Sequence, residues 1–168
     1  MTADPASPFA VETAGLTGRF GETVAVRDLT LKIPVGTTLG FIGPNGAGKT
    51  TTIKMLMNLL RITTGEARVL GLDVAVNPVA IRQRVGYVPE QQFIYRWMRV
   101  GEAVGFCRSV YEKWNDKLCT ELMQLFRLDS ERRVKHLSKG AGVKLSLLLA
   151  LSHEPELLLL DEPMAGRM

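Results

Sequence analysis

Three features of the 168-residue sequence predict an α/β fold with a parallel core. An apolar run, Thr38-Leu39-Gly40-Phe41-Ile42, leads into a glycine-rich turn and then into Thr51–Leu60, whose apolar residues recur at helical spacing. A second apolar run, Leu157–Leu160, is bounded by Pro155 and Pro163 and reads as a fully buried strand. Between them, from about Val100 to Leu137, the pattern is mostly helical.

The elements follow in order. Residues 1–9, rich in Pro, Ser and Ala, read as a loose leader. The alternation Val24/Val26, then Leu29/Leu31/Ile33, has the two-residue period of half-buried strands, and Pro34-Val35-Gly36 turns the chain toward the strand at 38–42. After the first helix come a turn at Thr63-Thr64-Gly65, a strand at Glu66–Leu70, and a turn at Gly71-Leu72-Asp73. A short helix closes at Ile81–Arg84, followed by the strand Val85–Val88 and a stop at Pro89. Val100–Tyr111 and Asp116–Phe126 are the helices of the insertion, and Val143–Leu151 is the helix before the last strand.

Composition is that of an ordinary globular domain, with 46% hydrophobic and 23% charged residues. No apolar run approaches the ~18 residues needed to span a bilayer. The N-terminus has no basic segment followed by an apolar core, so a cytoplasmic location is expected. The net charge of +4 comes from scattered residues, with only Arg132, Arg133 and Lys135 close together, and no nucleic-acid partner is expected. Cys107 and Cys119 are too few and too far apart for a metal site or redox pair; they read as reduced, mostly structural thiols.

Gly43-Pro44-Asn45-Gly46-Ala47-Gly48-Lys49-Thr50-Thr51 fits the phosphate-binding pattern G-x-x-x-x-G-K-[ST]. Polyphosphate needs many donors and little bulk, and a glycine-rich turn directs backbone N–H groups inward around it. The helix that follows adds the positive end of its dipole. Lys49 is expected to reach the β- and γ-phosphates, and Thr50 to place its hydroxyl on Mg²⁺. In Leu157-Leu158-Leu159-Leu160-Asp161-Glu162, a strand ends in two carboxylates: Asp161 is expected to hold Mg²⁺ through its water shell, and Glu162 to polarise an attacking water.

Between these motifs lies Leu137-Ser138-Lys139-Gly140-Ala141, directly ahead of a helix. Alone, L-S-x-G is also an ordinary helix N-cap. In this position it resembles the signature motif of the ATP-binding cassette (ABC) ATPases, usually L-S-G-G-Q, and the resemblance extends over residues 10–166. It implies a P-loop NTPase core of the ABC type, an N-terminal antiparallel β subdomain and an inserted α-helical subdomain. Residues 10–88 and 151–168 would form the core and β parts of a single domain, and about 89–150 the helical part. It also implies ATP and Mg²⁺ as ligands. A second ABC ATPase subunit would stack head to tail, with Ser138, Lys139 and Gly140 of each facing the other's ATP, and a separate transmembrane permease would carry the substrate.

By the same resemblance, Phe20 is a candidate to stack on adenine, with a core phenylalanine as the alternative. Val85–Glu90 looks like the segment leading to the loop that touches Mg²⁺ and the membrane partner. Where the family often has glutamine this chain has Glu90, followed by Gln91 and Gln92, so either Glu90 or Gln91 is the nucleotide-sensing candidate. Trp97-Met98 are candidates for contact with the permease or for packing. The wording of Tyr87–Glu90, Leu137–Gly140 and Leu160–Pro163 is most similar to the subgroup that drives drug and antibiotic-peptide exporters.

The sequence departs from the family at two places. Ala141-Gly142-Val143 replaces the polar residues usual after the signature glycine. After Glu162-Pro163, the run Met164-Ala165-Gly166-Arg167-Met168 stands where the family continues Ser/Thr-x-Gly-Leu-Asp. The following strands and histidine are then missing, which is the pattern of a truncated product. The alternative functions are therefore an ATP-binding fragment without turnover and a soluble ABC ATPase unconnected with transport.

Overall fold

The computed structural model describes residues 7–91 and 94–162. Gln92 and the run Pro163–Met168 lie outside the described residues. The chain divides into two compact units, residues 1–82 and 83–168.

The first unit is built on a four-stranded antiparallel sheet in the order β2-β1-β3-β4. Its strands are β1 (Phe9–Phe20), β2 (Thr23–Pro34), β3 (Thr64–Val69) and β4 (Leu72–Asp73). The long hairpin of β1 and β2 turns at residues 21 and 22 and carries several register shifts, which bend it. Helix α1 (Lys49–Leu56) packs on the sheet; its Met55 and Leu56 are buried, as are Val11, Leu16, Val26 and Val69 of the strands. Strand β1 has no continuous strand signature in the sequence. It carries Gly15 and Gly18, the polar pair Glu12-Thr13 and Thr17, which dilute its alternation. Its place between β2 and β3 holds it extended all the same, and Thr13 Oγ1 donates to Leu29 O at 2.8 Å.

The expected buried strand at 38–42 is a correction. No strand is formed there, and Leu39, Phe41 and Ile42 are exposed, Ile42 at 96%. An extended segment becomes a strand only through a ladder to a neighbour. Among the described residues none of the sheet strands pairs with it.

The second unit begins at the end of α2 (Pro78–Arg84) and contains a parallel pair, β5 (Val85–Val88) and β6 (Leu157–Leu160). Helices α3 (Val100–Val110), α4 (Asp116–Phe126) and α5 (Lys139–Leu151) make up most of the rest, with a 3₁₀ turn at Val134–His136. Helix α4 has the bounds that its periodicity predicts. Asn115 caps it by accepting from Leu118 N at 2.9 Å, and Arg127 ends it in the left-handed region at φ 54°. Val100, Val134 and Leu145 form one buried cluster, and Cys119, Leu122 and Leu148 another, so α5 is the element on which α3 and α4 both pack. Helix α5 starts at Lys139, four residues before the expected start.

Strand β6 was expected to be fully buried; it alternates instead, with Leu158 and Leu160 exposed. Continuous leucine suits a strand covered on both faces, and here one face stays open.

Candidate functional site

The loop between residue 43 and α1 takes its shape from glycine. Gly46 and Gly48 lie at φ 83° and 85°, a region L-residues with side chains rarely enter. A Cβ at Gly48 would come within 2.4 Å of Ala25 O, so no other residue fits between β2 and the helix start. Around Gly46 there is open space. The helix has no side-chain cap hydrogen bond and no acidic residue in its first turn, so no carboxylate there opposes the positive end of its dipole.

Lys49 Nζ donates to Gly43 O at 2.8 Å and to Pro44 O at 3.0 Å. The ammonium thus lies over the loop, bridging its first two carbonyls, where an arriving phosphate would meet it. Thr52, by contrast, turns its hydroxyl back to Gly48 O at 2.9 Å and is buried, which makes it a structural residue of the first turn. Phe20, expected to precede the first strands, instead ends β1 and is 49% exposed, an available aromatic face with no core role.

In the second unit, Asp161 follows directly on β6, and its N–H donates to Val88 O at 2.9 Å, continuing the parallel ladder. Asp161 is buried, with 2% of the residue exposed. The register that sets this position begins with Arg84 and Glu156. They form a two-pronged ion pair at 2.6 and 2.8 Å, and Glu156 N also donates to Arg84 O. Arg84 holds the Glu156 carboxyl below its usual range, although burial works against it. Glu162, the next residue after Asp161, sits at φ 48°. Such a backbone value is uncommon for glutamate and ends the extended run of β6.

Tyr87 lies on β5 opposite Leu159, two residues before Asp161. Its burial, together with the adjacent Asp161 charge, pushes its phenol up to about 12. No signal within Val85–Val88 by itself could have found it. The pairing of Tyr87 with Leu159 is what brings it to Asp161.

Ser138 is the N-cap of α5, accepting from Ala141 N at 3.2 Å. Gly140 has open space where a side chain would be, so the helix start is accessible. Glu90 and Gln91 are both exposed in a bend after β5. Trp97 is exposed and stacks on Tyr95 with centroids 5.7 Å apart, whereas Met98 packs against the cluster of Val100, Val134 and Leu145. Cys107 and Cys119 are free thiols. Among the described residues, no three His, Cys, Asp or Glu side chains gather into a metal cluster, and no helix is long and apolar enough to cross a membrane.

A glycine loop feeding a helix, a buried aspartate closing a parallel strand, and a capped helix start at L-S-K-G define a nucleotide-binding α/β domain. A family model described as ABC transporter matches residues 26–165, and the chain belongs to that family. It is 35% identical over 162 residues to a probable multidrug ABC transporter ATP-binding protein, YbhF, of Escherichia coli, covering 93% of this chain and 28% of that protein. It is 32% identical to the bacitracin transport ATP-binding protein BcrA of Enterococcus faecalis, covering 94% of this chain and 52% of BcrA. With the daunorubicin/doxorubicin resistance ATP-binding protein DrrA of Streptomyces peucetius, identity is 36%, over 94% of this chain and 49% of DrrA. The chain thus spans about half the length, or less, of these relatives.

Among solved structures, an ATP-binding subunit of an ABC transporter superposes with a TM-score of 0.83 at 28% identity, over 94% of this chain and 68% of that one. A dimeric ATP-binding cassette in a post-hydrolysis state, bound to ADP and Pi, superposes at 0.81 with 22% identity and shares the fold.

Proposed function

We propose that this chain is the nucleotide-binding part of an exporter-type ABC ATPase. The observation that carries the proposal is the loop Gly43–Thr51, with left-handed glycines at 46 and 48, opening onto the uncapped N-terminus of α1. ATP is the ligand in this reading. Its phosphates take the loop N–H groups and the Lys49 ammonium, and its adenine takes the exposed face of Phe20. Mg²⁺, when bound, neutralises charge on the phosphate oxygens. A phosphate-bound Mg²⁺ takes few protein oxygens, and a hydroxyl such as that of Thr50, or a carboxylate such as that of Asp161, is the kind of donor it accepts. Glu162 accepts a proton from the attacking water.

Ser138, Lys139 and Gly140 at the start of α5 face the ATP of a second subunit, so that two chains close two sites. A separate membrane permease receives the resulting movement, with Glu90 or Gln91 as the nucleotide-sensing residue and Trp97 as a contact. The names of YbhF, BcrA and DrrA, which refer to multidrug, bacitracin and daunorubicin/doxorubicin transport or resistance, support export as the task. On the cytoplasmic side of a membrane, attachment would then be through the permease.

A second reading, ATP binding without turnover, is favoured by the unpaired apolar segment at 38–42, which leads straight into the loop. Titration of the chain with ATP by calorimetry, beside phosphate release, separates the two. Binding with release that disappears in Glu162→Gln supports the ATPase reading. Binding without release supports the second, and no binding overturns both.

A further inference from the structure

Backbone pairing brings two segments of the second unit side by side. Val100 N donates to Arg132 O at 3.0 Å, Val134 N to Met98 O at 2.9 Å and Lys135 N to Arg96 O at 3.0 Å, and Arg99 stands opposite Arg133 in an antiparallel bridge. Met98 packs against the cluster of Val100, Val134 and Leu145. Opposed residues share a face and neighbours along a strand alternate, so Arg99 and Arg133 lie on the side away from that cluster. Arg96, Trp97, Arg99, Arg132, Arg133 and Lys135 are all exposed. Cations at 96–99 and 132–135, well apart in sequence, thus form one patch.

Little negative charge opposes it. Glu131 pairs with Arg99, Glu102 accepts from Arg99 N at 2.7 Å, and Asp129 accepts from Glu131 N at 2.9 Å. The Arg132 guanidinium donates to His136 O at 2.9 Å, a neutral acceptor that leaves its charge in place. Among the described residues no ion pair holds Arg96, Arg133 or Lys135. Beside these cations Tyr95 and Trp97 are 59% and 62% exposed, their rings stacked on each other.

Trp and Tyr gather at membrane–water interfaces, where the apolar ring sits among headgroups and the polar tip stays wet, and Lys and Arg nearby are drawn to an anionic leaflet. Nucleic acid is held through rings that lie open to bases, whereas here each ring covers a face of the other.

We propose that the patch of Arg96, Trp97, Arg133 and Lys135, with Tyr95 stacked beside it, docks on the anionic phospholipid headgroups of a bilayer. This goes beyond the reading above, in which attachment is through the permease. It needs no nucleotide, so failure of either reading leaves the other intact.

Co-flotation of the 168-residue chain with vesicles tests it, since protein aggregates sink. Vesicles of equal parts phosphatidylcholine and phosphatidylglycerol should carry the chain upward, and pure phosphatidylcholine vesicles should not. Each cation near the surface changes partition about fivefold, so Arg133→Gln with Lys135→Gln should lower it by about 10-fold or more. Arg27→Gln with Lys117→Gln, which removes the same charge from other exposed positions, should bind as the parent does. Fluorescence of the parent should be quenched by lipids brominated close to the headgroup, and Trp97→Phe should remove most of that quenching, which decides the matter if the charge variant fails to fold. Equal flotation with neutral vesicles, equal loss in both double variants, or no flotation at all overturns the proposal. Retention of a uridine oligonucleotide or of polyglutamate in place of the vesicles also overturns it, and assigns the patch to nucleic acid or to an acidic protein segment.

Discussion

Lys49 turns its ammonium onto the carbonyls of Gly43 and Pro44, so the charge that the motif reserves for phosphate is already at the mouth of the loop. Lys49→Ala should therefore lower ATP affinity by about 100-fold, corresponding to loss of one or two charge-assisted bonds at about 1.5–3 kcal/mol each. Calorimetric titration checks this; affinity within twofold of the parent would remove Lys49 from the site. His153 makes a different prediction. It is buried, stacked on Tyr111 at 4.0 Å, and its ring nitrogens approach the Leu149 and Val85 carbonyls without completing hydrogen bonds. Burial lowers its pKa below the ordinary 6.5, and those carbonyls only partly oppose the shift. The unfolded chain then binds a proton more readily than the folded one, so stability is fully present above 6.5 and falls as pH drops through that value toward the folded pKa. Urea melts at pH 7.5 and 5.5 should show the loss, and His153→Phe should reduce it; an unchanged pH dependence would dismiss His153 as its source.

At the scale of elements, the helices of the second unit were the most legible. Asp116–Phe126 has apolar residues at three-to-four spacing, an Asn before it and no breaker inside, so local preference and packing agree. The first turn of α5 is not legible from periodicity, because Lys139-Gly140-Ala141-Gly142 has little apolar pattern. It is helical because Ser138 caps it and Gly142 is buried. Ser138→Ala should cost about 1 kcal/mol of stability from loss of the cap alone, with or without nucleotide. A chemical melt without nucleotide that shows no change would contradict the cap. Gly86 shows why β5 needs its sequence: a Cβ there would lie 2.5 Å from Ala150 O, on the backbone of α5. Gly86→Ala should destabilise the protein by about 1–3 kcal/mol, as overpacking does, seen as a lower urea midpoint. The segment at 38–42 shows the limit of such reading, since its residues suit a strand but strand formation depends on a neighbour.

For the molecule as a whole, Leu39, Phe41 and Ile42, and separately Leu158 and Leu160, present apolar surface to water. Such surface drives association as concentration rises. Gel filtration over a concentration series should show species larger than a monomer, and Ile42→Lys should reduce them; a concentration-independent monomer would contradict this. Much of the candidate site was legible as well: the loop, the strand-end carboxylates and the L-S-K-G helix start are contiguous motifs whose residue types are dictated by phosphate and cation chemistry. Tyr87 was not, because its relation to Asp161 passes through a strand pairing between residues far apart in the chain.

The sequence by itself determined the family, the phosphate-loop motif and the presence, though not every boundary, of the main helices, since each depends on residues within one turn or one short motif. Only the tertiary structure decided which apolar runs became strands, that β6 has an open face, that Lys49 rests on its own loop, and that Tyr87 pairs with Leu159. Those outcomes depend on a second segment arriving to pair, cover or accept a hydrogen bond, and local preference carries no record of that arrival.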